Sequence, residues 1–277
     1  MARDGHPKLS AAALRAELSA RNLQRGEDLQ HESTFGRIPS VVYAQDEEGG
    51  HGNFLRPSFR RIQADPAWAA RLQKTYTGSA RLPRATDRWR GELECAGSSD
   101  ALLMNVFCYP GILRRPSVCA ALGIPKSLRP DFGVRAALPM ERGEVDRTEV
   151  DMVLGDLFVE AKLTEGGFGR ASEERVLRYT GVSDIFYFDE LPRSAGGVTG
   201  YQILRGMLTA LHADGRYLVL LDARRTDLVE ICFRVLRAVR DAGTRSRFRL
   251  LSWQELAGAL PVPVQEFLAT KYGIDAV

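Results

Sequence analysis

Read for chemistry, the 277-residue chain is most informative at EVDMVLGDLFVEAKL, residues 149–163, where Glu149, Asp151, Glu160 and Lys162 flank the dipeptide Gly155-Asp156. A two-residue connection that opens with Gly favours a type II′ hairpin turn. Folded on that turn, Leu154 faces Leu157, Asp151 faces Glu160 and Glu149 faces Lys162. Side chains alternate along a strand, so the four polar residues share one face. Val150, Met152, Leu154, Leu157, Val159, Ala161 and Leu163 make the opposite, apolar face. Asp151 and Glu160 would then hold two carboxylates with Cβ atoms about 5 Å apart, a repulsive arrangement that a divalent cation relieves. Mg²⁺, with Mn²⁺ as a substitute, takes one or two carboxylates together with water and substrate phosphate. A lysine beside them can orient or help deprotonate an attacking water, or stabilise transition-state charge. The competing reading is a solvent-facing hairpin with an ordinary Glu149–Lys162 ion pair of small worth. Against it stand the Asp151–Glu160 repulsion and the nearby run Tyr217–Leu221 (YLVLL), whose apolar character implies a sheet covered on both faces.

The elements that must position these residues follow from the pattern around them. Ser98-Ser99 precede DALLMNVF, a helix start with a capping hydroxyl and Asp100 in the first turn. Residues 132–138 form a strand, 148–154 and 157–163 the hairpin, 200–213 an amphipathic helix and 217–221 a buried strand. A helix over 226–241, a strand over 247–251 and a helical tail over 253–272, broken by Pro261 and Pro263, complete the chain. Upstream, 9–22 reads as a helix opened by Ser10, 26–55 as polar loop, and 64–76 as a helix with Asp65 as N-cap and Pro66 in its first turn. The fold class is therefore α/β, a central mixed β-sheet flanked by helices in αβββαβ order.

With an Asp on one strand and Glu-x-Lys on the next, Asp151 and Glu160-Ala161-Lys162 resemble the hallmark of the PD-(D/E)xK nuclease superfamily, the restriction-endonuclease-like proteins. The element order over roughly residues 92–222 is similar as well. The resemblance implies a Mg²⁺-dependent nuclease acting on DNA. In it Asp151, Glu160 and the Ala161 carbonyl hold metal and Lys162 acts on the water. Gln202 matches a polar residue that many members add from the following helix. An upstream helix often adds a Glu; Glu94 lies just before the helix here, and Asp100 and Asn105 lie within it. Pro130-Asp131 is a literal Pro-Asp, but only Asp151 is set opposite Glu160 by the turn. The resemblance divides the chain into a nuclease domain, 91–277, and an N-terminal helical and irregular extension, 1–90. Nucleases that cut both strands often dimerise, so a homodimer is one expected arrangement. A nuclease acting on RNA or branched DNA, or a non-catalytic nucleic-acid-binding protein on the same fold, are the alternatives.

Charge distribution adds a partner class. Residues 56–90 hold nine basic and two acidic side chains, while the segments on either side are each slightly acidic. Such asymmetry suits a polyanion. Arg84, Arg88 and Arg90, around Trp89, are candidate phosphate contacts, and Arg205, three residues from Gln202 on one helix face, is another. A solvated arginine-rich surface is the plain alternative. The Gly-rich stretch Thr164–Arg170 lacks the Lys-Ser/Thr of a phosphate loop and is either a mobile loop over the cleft or a simple connector.

Composition excludes several classes. At 44% hydrophobic and 26% charged the chain is an ordinary globular sequence, with no apolar run of the ~20 residues that span a bilayer. Its first residues lack the apolar stretch of a secretory signal, so a cytoplasmic protein is expected. Cys95, Cys108, Cys119 and Cys232 have no C-x-x-C spacing, which argues for buried thiols rather than a zinc site.

Overall fold

The alternating stretch 149–163 folds as its turn residues dictate. In the computed structural model, which describes residues 9–34, 38–75 and 91–277, Gly155 adopts φ +60° while Asp156 is not among the residues of positive φ. That combination identifies a type II′ reversal. Five strands build the sheet around it: β1 (Asp131–Arg135), β2 (Glu149–Leu154), β3 (Leu157–Ala161), β4 (Arg216–Leu221) and β5 (Phe248–Ser252), in the order β5-β4-β3-β2-β1. The pairs β1–β2 and β2–β3 are antiparallel, whereas β3–β4 and β4–β5 are parallel. The sheet is thus mixed, and helices α1 (Tyr201–His212) and α2 (Thr226–Arg237) supply the crossovers that parallel neighbours need.

Burial follows the sequence pattern strand by strand. Along β2, Val150, Met152 and Leu154 are buried and Glu149, Asp151 and Val153 half-buried, the alternation of a strand with two unlike faces. Every residue of β3, and all of β4 after Arg216, is buried, because both faces of these central strands are covered. The core joins Val150, Phe158, Tyr217, Val219 and Phe248 of the sheet to Met207 of α1 and Leu228, Cys232 and Val235 of α2. Gly200, at the N-terminus of α1, has φ +74°, and a Cβ there would come within 2.8 Å of Val235 Cγ2; both backbone and packing demand glycine. The hairpin turn is tied to the next strand as well. Arg216 Nε and Nη2 donate to Asp156 Oδ2 and Oδ1, each at 2.8 Å.

Two compact units result, Leu9 with Asp131–Ser252 forming the sheet unit and Ser10–Pro130 with Trp253–Val277 the other. Contacts divide the chain at 9/10, 130/131 and 252/253. In the second unit the helix Ala11–Arg25 is capped by Ser10, whose side chain accepts from Ala13 N–H. Ser98 caps Ser99–Phe107 by accepting from Ala101 N–H, and Asp65 caps Pro66–Ala69. Two departures from expectation occur here. The polar stretch 26–55 contains short paired strands, His31–Ser33 with Val41–Tyr43, and a separate helix Arg56–Ala64 precedes Asp65. All four cysteines are buried thiols, none in a disulfide. Among the described residues no helix is long and apolar enough to cross a membrane.

Candidate active site

The hairpin brings Asp151, Glu160 and Lys162 together, in a geometry that differs from a simple ladder. Pairing runs Leu154–Leu157, Val153–Phe158 and Met152–Val159, the expected register, and ends there. On its other edge β3 pairs in parallel with β4 over its whole length, from Leu157–Arg216 to Ala161–Leu220, and Lys162 N–H donates to Leu220 O at 2.7 Å. Asp151 Oδ2 accepts the Ala161 N–H at 2.8 Å. The ladder thus stops one pair short of Asp151–Glu160, and the Asp151 carboxylate is set on the peptide that follows Glu160. Glu149 is paired with Arg135 of β1 on the other edge of β2, and the hairpin ladder does not reach Lys162. Lys162 Nζ instead lies 2.7 Å from Glu160 Oε1, two residues along its own strand.

Glu160 and Lys162 are only 8% and 5% exposed, so their charges interact through protein rather than bulk water. Burial alone would lower the lysine pKa; the carboxylates of Glu160, Glu165 and Asp151 more than offset it and hold the ammonium above the ordinary lysine range. Tyr217, fully buried in β4, has its phenol pKa raised by burial and, next, by the charges of Glu160 and Asp151. Three carboxylates thus act on one ammonium.

That donor set fits a hard divalent cation. Asp151, Glu160 and the Ala161 carbonyl are all oxygen donors, as Mg²⁺ requires. Among the described residues no group of three or more His, Cys, Asp or Glu side chains converges as a closed cage. Mg²⁺ seldom uses one, because it keeps several waters and takes the rest of its shell from one or two carboxylates and substrate phosphate.

A cleft of about 820 Å³ opens beside Lys162 and is lined also by Glu165, Phe168, Tyr201, Gln202 and Arg205. Asp151 and Glu160 do not line it; Lys162 is the member shared by the strand pair and the cleft. Gln202 reaches this place because α1 starts at Tyr201, and its N–H donates to Phe168 O at 2.8 Å. Arg205, one turn on, stacks its guanidinium 5.3 Å from the Tyr201 ring centroid. The loop 164–170 forms one wall of the cleft.

Other candidates are placed elsewhere. Glu94 belongs to the second unit, where its Oε2 accepts from Gly91 N–H at 3.2 Å. Asp100 pairs with Arg71 Nη2 and Lys74 Nζ, both at 2.7 Å, and Asn105 Oδ1 accepts from Leu55 N–H. Two of the nine cations of the basic segment are thus already matched within the protein. Arg84, Arg88, Arg90 and Trp89 lie outside the described residues. Asp131, the Pro-Asp alternative, is exposed at the start of β1 opposite Val153.

Three participants escaped sequence reasoning: Glu165, Tyr201 and Arg225. Tyr201 accepts from Arg175 Nε at 2.8 Å on the cleft wall. Glu165 carried one signal, a carboxylate three residues past Lys162 at the strand exit. Arg225 carried Arg-x-Asp spacing to Asp227 and nothing more.

A family model described as restriction endonuclease associating with ARP matches residues 24–273. No curated protein and no solved structure matches the chain.

Proposed function

The chain belongs to this family of restriction endonucleases associating with ARP, and from that premise we propose that it hydrolyses DNA phosphodiester bonds with the help of a divalent cation. The observation that carries the reading is the placing of the Asp151 carboxylate on the Glu160–Ala161 peptide, 2.8 Å from Ala161 N, beside a Lys162 ammonium buried to 5% exposure. An isolated buried ammonium is costly, and so is an uncompensated set of carboxylates. Keeping the ammonium on a cleft with the carboxylates beside it suits a site that handles phosphate charge.

Asp151, Glu160 and the Ala161 carbonyl would hold Mg²⁺, with Mn²⁺ as a substitute. When bound, the cation supplies neutralisation of phosphoryl charge and a lowered pKa for an attacking water. The protein's own residues do the rest. Ala161 N–H orients the Asp151 carboxylate. Lys162 donates hydrogen bonds toward charge that develops on the phosphoryl oxygens. Gln202, on the same cleft, orients water through its amide, and Arg205 holds the substrate backbone as a fixed cation.

The test uses the full chain with supercoiled plasmid, linear duplex, single-stranded DNA and RNA, in Mg²⁺, Mn²⁺ or EDTA. Cleavage of DNA that needs the cation and disappears in Asp151→Asn, Glu160→Gln and Lys162→Ala is expected. Cleavage that persists unchanged in those variants removes the assignment, and cleavage confined to RNA replaces the substrate class.

A further inference from the structure

A buried lysine that keeps its proton needs a counter-charge in every state of its site. For Lys162 that partner is Glu160, whose Oε1 lies 2.7 Å from Nζ. On the proposed nuclease reading, Glu160 also gives oxygen to a divalent cation. A carboxylate engaged that way offers less to the ammonium, and the cation repels it. A second anion must then hold Lys162 in place.

We propose that Glu165 is the positioning residue for Lys162, fixed by a clamp made of Arg225 and Asp227; the inference rests on the proposed function above. Glu165 lines the same cleft as Lys162, and its charge acts on Lys162 together with those of Glu160 and Asp151. Its carboxylate turns back on its own loop, Oε2 accepting the Leu163 N–H at 2.6 Å. The loop is held from below. Arg225, 0% exposed, donates from Nη1 to Glu165 O at 2.8 Å and to Leu163 O at 3.3 Å. Its remaining edge is bidentate to Asp227, Nε to Oδ1 and Nη2 to Oδ2, each at 2.9 Å. A buried guanidinium therefore directs its donors to both carbonyls that bracket the turn carrying Glu165. Because Glu165 lies beyond the end of β3, its carboxylate is placed independently of Glu160.

Glu165→Gln keeps an oxygen that accepts from Leu163 N–H and removes only the charge. The full chain is prepared as wild type, Glu165→Gln, Lys162→Met and the double variant. Melting temperature is measured in EDTA and in saturating Mn²⁺. Glu165→Gln is expected to lower it more in Mn²⁺ than in EDTA, and that extra loss is expected to vanish in the Lys162→Met background. Equal losses in both backgrounds overturn the proposal whether or not the protein cleaves DNA. Where wild type cleaves, Glu165→Gln is expected to reduce kcat by roughly 10- to 100-fold, the usual size for a residue that orients another, with KM within about twofold. An unchanged kcat, beside a Lys162→Met that is inactive, also overturns it. Absence of wild-type cleavage counts against the proposed function, while the melting cycle still decides this point.

Discussion

Asp151 Oδ2 and the backbone N–H of Ala161 are joined by a 2.8 Å hydrogen bond, where a β-ladder would have supplied a main-chain carbonyl. The bond ties the first carboxylate of the candidate site to the strand that bears the second. It also satisfies a donor that is buried, since Ala161 is fully enclosed.

Two substitutions separate those roles. Asp151→Asn keeps an oxygen for the Ala161 N–H but loses the charge, so cleavage is expected to fall by about 100-fold or more, the size seen when a preorganised catalytic group is removed, with the urea midpoint nearly unchanged. Asp151→Ala loses both, leaving a buried N–H without its acceptor at a cost of about 1–3 kcal/mol. Urea denaturation and plasmid cleavage on the same preparations check the pair. Equal stability of the two variants would contradict the structural half of the argument.

How much of this was legible in the sequence depends on the reach of each interaction. The reversal at Gly155-Asp156 and the three ladder pairs next to it follow from local alternation and turn chemistry. The end of the ladder does not, and nor does the parallel pairing of β3 with β4, more than 50 residues downstream, because neither is local. Glu165 was hidden for the same reason, as its loop is held by Arg225 from the far side of α1 and β4. The composition of the basic segment likewise does not show which of its cations are already paired. Arg71 and Lys74 count as free cations in a composition, yet Asp100, over 25 residues on, pairs with both. The α/β class and mixed sheet were readable because they rest on periodicity alone.

The tie between hairpin turn and β4 gives an acid-side prediction. The Arg216 hydrogen bond, foremost, holds the Asp156 carboxyl below its ordinary value. A lowered folded pKa means the pair contributes stability above the unfolded value of about 3.9 and loses it as pH falls through the folded value. The groups are well exposed, 52% for Asp156 and 27% for Arg216, so screening limits the pair to about 0.5 kcal/mol. Arg216→Gln is expected to lower stability by that amount at pH 7 and by progressively less as pH falls below the unfolded value and through the folded one. Urea midpoints taken from pH 7 downward measure it.

A larger effect is expected at the exit of β4. Arg224 Nη2 lies 2.6 Å from Asp222 Oδ2, and the two side chains are 5% and 0% exposed. Removing one member of a buried pair strands the other, so Asp222→Asn is expected to cost about 3 kcal/mol. Asp222→Asn with Arg224→Met removes both charges and is expected to recover part of that loss. A double variant no more stable than Asp222→Asn would show that the pair is not the source of the cost.

Lys271 provides a pH dependence of opposite direction in the second unit. Its side chain is fully buried, with Nζ 3.1 Å from Asn22 Oδ1 and 3.0 Å from Ala96 O, and 4.3 Å from the centroid of the Tyr272 ring. Burial, reinforced by the charge of Arg25, pushes its pKa well below the ordinary lysine value. In the unfolded chain the amine titrates near 10.4, so between the folded pKa and about 10.4 the unfolded state binds more protons. Stability must rise with pH across that window, because folding there releases a proton. The urea midpoint of wild type is expected to increase from pH 7.5 to pH 9.5, and Lys271→Met is expected to flatten that rise while losing the two hydrogen bonds at every pH. A wild-type midpoint that falls over the same range would mean that the ammonium stays charged in its buried place, stabilised by the Asn22 and Ala96 oxygens and the Tyr272 ring.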